Sequence, residues 1–223
     1  MWEIGANVTK HSLSLTRWQR LCQQFGIDDR CAIKQEFQRI ARAYSETHRA
    51  YHTAQHINEC LSWLDWSAQK AAIAHCASLE MALWYHDRVY QPQLNDNEQR
   101  SAEQAVTFLN THNVHSAQVE QVEMLILATG HWADSKSDRV AESVNWMVDI
   151  DLAILGAVPQ RFLQYNSQIH QEYGWLPDAV YQARREQVLS AFLARPTIYQ
   201  TGLFQAQIEI QARENLLAAI GAL

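Results

Sequence analysis

From Ala71 to Tyr85 the sequence is apolar on nearly every side of a helical period, and a helix of that kind is stable only when other elements enclose most of its faces. It ends abruptly in the dipeptide His86-Asp87. A chain built round this stretch must supply several further helices to cover it, and it must place polar chemistry where the most deeply buried helix stops. The remaining sequence is suited to that task. Only 7 Gly and 4 Pro interrupt it, while Ala, Leu, Gln, Glu and Arg dominate, so the intrinsic preference is helical and strand patterns are nearly absent. At 223 residues and 48% apolar content, the expectation is a single all-α domain over 1–223.

Apolar spacing predicts a first helix over Leu13 to Phe25, closed by Gly26 as a residue free to take positive φ, and a second over Cys31 to Tyr44. The polar stretch SETHRAYHTAQ breaks the period before Ile57, Leu61 and Leu64 resume it, which puts a histidine cluster at a helix entry. QPQLNDNEQ reads as a loop in which Asn95 or Asp96 caps a helix from Glu98 to Leu109, and Val119 to Thr129 is amphipathic. GHWADSKSD reads as a loop. Helices are expected near Pro159 to Tyr173, Pro177 to Leu193 and Gly202 to Ile220, each opened by Pro or Gly.

VNWMVDIDLAILGA embeds Asp149 and Asp151 in a run too hydrophobic for a surface helix. An unpaired carboxylate there costs several kcal/mol, so each acid needs a partner. His52 and His56 are four apart and on a helix would share a face. Taken with His86-Asp87, these segments offer imidazole and carboxylate, the donor mixture suited to divalent ions such as Mn, Mg, Fe, Co, Ni or Zn. Either His52 or His56 could bind such an ion together with His86-Asp87 and an acid of the later run, with the identity and number of ions open. Asp149 sits two residues from Asp151 and points to a different side of a helix, so both cannot easily bind the same ion.

With 18 Lys+Arg against 24 Asp+Glu and no basic cluster, a nucleic-acid polymer is not an expected partner. Cys22, Cys31, Cys60 and Cys76 are scattered without a Cys-x-x-Cys pair and read as reduced core thiols. The opening MWEIGANVTKHSLSL lacks an apolar leader segment, and no run approaches the ~20 apolar residues of a membrane span. A cytoplasmic, soluble protein without a membrane partner is the expectation.

The order His56, His86-Asp87, Asp151 over roughly residues 45 to 155 resembles the HD superfamily of metal-dependent phosphohydrolases. His56-Ile57 followed by Cys60-Leu61 looks like that family's first ligand on its helix, ALWY before His86-Asp87 like the approach to its doublet, and Asp151-Leu152 like its last ligand. DNEQRSAE, DIDLAILG, RPTIYQT and EIQARENL resemble a bacterial subgroup across nearly the whole chain. The resemblance implies an HD-domain helical bundle with additional N- and C-terminal helices. YHTAQHI is also similar to the Tyr-His-x-x-x-His signature of cyclic nucleotide phosphodiesterases, which implies His56 as ligand and His52 as proton donor to a leaving oxygen.

The activity so implied is hydrolysis of a phosphoester of a small molecule, nucleotides among the candidates, by metal-activated water. Asp96 and Glu98, just past the doublet, are candidates for positioning that water; capping a helix is the equal alternative. Arg100 is a weaker candidate for clamping phosphate. His112, His115 and His131 lie where a second metal would find ligands, His131 the best placed. Two rivals stay open: a di-iron oxygenase on the same scaffold, and a metal-stabilised binding module without turnover.

Overall fold

A computed structural model describes residues 12–74, 76–130 and 142–222. These are helical, with no strand among them: α1 (Leu15–Gln24), α2 (Arg30–Ala43), α3 (Ala54–Lys70), α4 (Cys76–Tyr85), α5 (Asn97–Thr111), α6 (Ser116–Leu127), α7 (Glu142–Asp151), a 3-10 turn (Leu152–Gly156), α8 (Pro159–Glu172), α9 (Asp178–Leu193) and α10 (Gly202–Ile220). The all-α expectation holds. The chain divides into two compact units, Met1–Met147 and Val148–Leu223. No described helix is long and apolar enough to cross a membrane.

In the first unit, side-chain caps set where helices begin. Ser14 accepts from the Arg17 amide at 3.2 Å and Asp29 from the amides of Cys31 and Ala32 at 2.8 and 3.1 Å, satisfying donors that a helix start leaves unpaired. Gly26 closes α1 at φ 72, the left-handed position its sequence context predicts. The stretch from Ala71 is not helical from its first residue: α3 runs on to Lys70 and α4 starts only at Cys76. From Ser78 on, most of its faces are enclosed. α4 packs against α1, α3, α5 and α6, and Leu79, Met81, Leu83, Trp84 and Tyr85 are 0% exposed. Each such side chain contributes about 1.5–3 kcal/mol of burial, so the end of α4 is held by fully buried side chains. Trp18 is also fully buried, as its place in a helical stripe predicts, and donates its indole N–H to the Ile33 carbonyl at 3.0 Å.

The second unit is organised about α10, which packs against the 3-10 turn, α8 and α9. Asn215 of α10 donates to the carbonyls of Leu155 and Ala157, both at 2.8 Å, and so satisfies the exit of the turn. The approach is close enough to demand glycine at 156, because a Cβ there would lie 2.6 Å from Ile208 Cβ and 2.8 Å from the Ile208 carbonyl oxygen. Gly156→Ala is therefore expected to cost about 1–3 kcal/mol by overpacking, read as a lower urea midpoint; an unchanged midpoint contradicts this contact.

Asp149, one of the two acids read as needing a partner, finds it within this unit. Fully buried, its carboxylate accepts from the Gln200 amide at 2.8 Å and from the Thr201 amide and hydroxyl, both at 2.7 Å, at the start of α10. Burial pushes its carboxyl up to about 6, and the bonds from Thr201 and Gln200 pull the other way. Its role is to seat the N-terminus of α10. The C-terminal RPTIYQT segment is accounted for in the same way, since Glu209 accepts from the amides of Ile198 at 3.0 Å and Tyr199 at 3.2 Å.

Candidate metal centre

Two helix ends in the first unit build the site. Thr53 caps α3, its hydroxyl accepting from the Gln55 amide at 3.3 Å, so His56 falls in the first turn of that helix. His52 therefore precedes the helix, and the expectation that His52 and His56 share a helical face is corrected: a Thr at the cap position ends the period between them. His86 follows the last residue of α4, its amide still bonded to the Ala82 carbonyl at 2.8 Å. A helix C-terminus carries partial negative charge, which favours a cation beside it.

The donor atoms meet at short range. His56 Nε2 is 3.1 Å from His86 Nε2, and Asp87 Oδ2 is 3.1 Å from His86 Nε2 and 3.4 Å from His56 Nε2. His86 Nδ1 donates to the Leu83 carbonyl at 2.9 Å. With Nδ1 so bonded, Nε2 is the ring nitrogen that faces the other two groups, and it would be the ligand atom toward a metal ion. Cys60, one turn along α3, places its sulfur 3.7 Å from His56 Nδ1 and packs against that ring. Burial alone would raise the Asp87 carboxyl, but the charges of His86 and His52 and hydrogen bonds from His56 and His86 outweigh it and hold the group well below the usual carboxylate range. Asp87 is an anion at neutral pH. Both imidazoles are buried, and the Asp87 side chain, 17% exposed, is the member open to solvent.

The triangle fits a divalent ion. Donors bound at roughly 2.1 Å to one first-row cation stand about 3.0–3.4 Å apart in octahedral or tetrahedral arrangements, and the observed edges lie within that range. Two imidazoles and a carboxylate gathered in this way could hold a metal ion. Comparison with protein-family models, with curated proteins and with solved structures finds no match to this chain, so the assignment rests on its own residues.

His52 stands beside the triangle. Its half-buried ring stacks on Tyr90 with centroids 4.0 Å apart and lies 5.9 Å from the His56 ring. Asp151 ends α7, half-buried, and belongs to the second unit. Asp96 occupies the position before α5 without accepting a capping bond; it is exposed, with Arg100 at 4.0 Å. The turn is held instead by Asn97, whose side chain both accepts from the Gln91 amide and donates to the Gln91 carbonyl at 3.0 Å. Glu98 lies against Gly130, where an added Cβ would come within 3.0 Å of its side chain. Among the described residues, neither acid contacts the histidine cluster. Arg100 is a surface charge. His112 packs edge-on to Phe108, His115 caps α6 by accepting from the Ala117 amide at 3.3 Å, and His131 lies outside the described residues. Cys31 is exposed, contrary to a core position; Cys22 and Cys60 are buried.

One residue of the site carries no signal in the sequence. Arg49, inside the polar stretch that reads as a helix break, is wholly buried and donates to main-chain carbonyls on both sides of the cluster: His52 at 3.2 Å, Asp87 at 2.6 Å and Arg88 at 2.9 Å.

Proposed function

We propose that this chain is a metal-dependent phosphohydrolase of the HD type that hydrolyses a phosphoester of a small molecule, with nucleotides the first class to test. The observation that carries the proposal is the triangle of His56 Nε2, His86 Nε2 and Asp87 Oδ2, two ring nitrogens and an anion converging at 3.1 to 3.4 Å. Those three residues hold the cation in this reading. By the chain order on which the resemblance rests, Asp151 is the further ligand this reading adds. When bound, a divalent ion lowers the pKa of coordinated water from about 15.7 toward about 7 and polarises a phosphoryl oxygen.

The protein's own groups divide the remaining work. Asp87 is the partly exposed anion through which the ion is reached, while the Leu83 carbonyl orients His86. His52 is close to the ligands without being one of the three, and its ring is held flat against Tyr90. That placement suits a proton donor to the leaving oxygen of the ester.

The test is a screen of phosphomonoesters, nucleotides and cyclic nucleotides with added Mn²⁺, Mg²⁺, Co²⁺ or Ni²⁺, following released phosphate or dephosphorylated product. Metal-dependent release that is lost on chelation and restored by metal is expected. Metal bound at the site without turnover of any substrate would replace the proposal with a metal-stabilised binding module.

A further inference from the structure

We infer that Arg49 is a positioning residue that sets the metal affinity of this site and the seat of His52, an inference that rests on the metal reading above. Its side chain is 0% exposed. A guanidinium offers its N–H donors in a rigid plane, so it can hold several acceptors at fixed separation in a way that a lysine ammonium cannot. Here two acceptors follow α4, the carbonyls of Asp87 and Arg88, and a third, the His52 carbonyl, precedes α3. One side chain therefore ties together the two backbone segments that carry His56 and His86-Asp87.

The charge is balanced and enclosed. Glu46 accepts from Arg49 Nε at 3.0 Å, and the Tyr44 and Tyr90 rings lie 5.3 and 5.5 Å from the guanidinium carbon. Tyr90 also stacks with the His52 ring, so the order is Arg49, Tyr90, His52. Tyr44 in turn donates to the Trp84 carbonyl at 3.2 Å, anchoring the assembly to the last turn of α4. Loosening Arg49 displaces the main chain of the ligand Asp87 and of its neighbour Arg88, and it frees the ring on which His52 rests.

Arg49→Lys keeps the charge and most of the volume but loses the planar fork. Mn²⁺ titration of the full chain, well below each variant's unfolding midpoint, is expected to show affinity lowered about 10- to 100-fold, the usual effect of removing a group that orients metal ligands. Thermal unfolding of each variant followed by circular dichroism separates lost stability from lost positioning. Equal Mn²⁺ affinity in Arg49→Lys and the unmodified chain overturns the inference and leaves the metal reading intact. Failure of the unmodified chain to bind Mn²⁺, Co²⁺ or Ni²⁺ overturns both. If Arg49→Lys does not fold, Glu46→Gln, on a side chain that is 43% exposed, loosens the same guanidinium. It is expected to weaken Mn²⁺ binding in the same direction, and unchanged affinity there counts against the inference equally.

Discussion

His86→Ala is expected to lose Mn²⁺ affinity by more than about 100-fold, beyond the 10- to 100-fold that groups orienting a ligand usually cost. The Nε2 atom is the apex shared by the two 3.1 Å edges of the triangle, so its removal leaves His56 and Asp87 without the donor that links them. Asp87→Ala should have an effect of the same order for another reason, because it removes the anion and leaves two buried imidazoles to repel a cation when protonated. Asp87→Asn separates the causes: it keeps the shape and one oxygen while deleting the charge. Metal content after dialysis and calorimetric titration provide the readout, with circular dichroism to confirm that each variant is folded. Metal content in the doublet variants equal to that of the unmodified chain would sink the assignment.

His52→Ala should behave in the opposite way, retaining the ion and losing turnover. Positioned proton donors contribute roughly 10²- to 10⁴-fold, and kcat is expected to fall by that factor on an alkyl phosphoester whose leaving oxygen needs a proton. A nitrophenyl ester, whose leaving group departs as a stable anion, should be affected far less. That contrast distinguishes proton donation from a general disturbance, since displaced metal ligands would depress both substrates alike. Loss of bound metal from His52→Ala would make it a ligand and remove it from the proton-transfer role.

The helical architecture was legible because it rests on periodicity, which survives in the sequence whatever the tertiary contacts. So was the doublet, since an apolar helix that ends in His86-Asp87 announces a change of environment. Three features were not. The separation of His52 from the α3 face depends on Thr53 taking the cap, and a Thr in a polar stretch is equally acceptable inside a first turn. Asp149 and Asp151 look alike in the sequence; only the fold brings the amides of Gln200 and Thr201 to Asp149. Arg49 is the clearest case. All but one of its hydrogen-bond acceptors are backbone carbonyls, which have no residue identity and leave no pattern to find. Asp96 and Glu98 show the converse, acidic residues in a suggestive place whose neighbours are Arg100 and Gly130.

The bond between Asp149 and Thr201 spans 52 positions, with α8 and α9 in the intervening loop. Helices form locally within microseconds, whereas closing a long loop waits on chain diffusion and its entropy. During synthesis α8 and α9 can coil as soon as they emerge, yet the acid on α7 has no acceptor-matched donors until the beginning of α10 arrives. The interior place of the Asp149 carboxylate is therefore complete only once the beginning of α10 is present, and before that the group keeps its hydration.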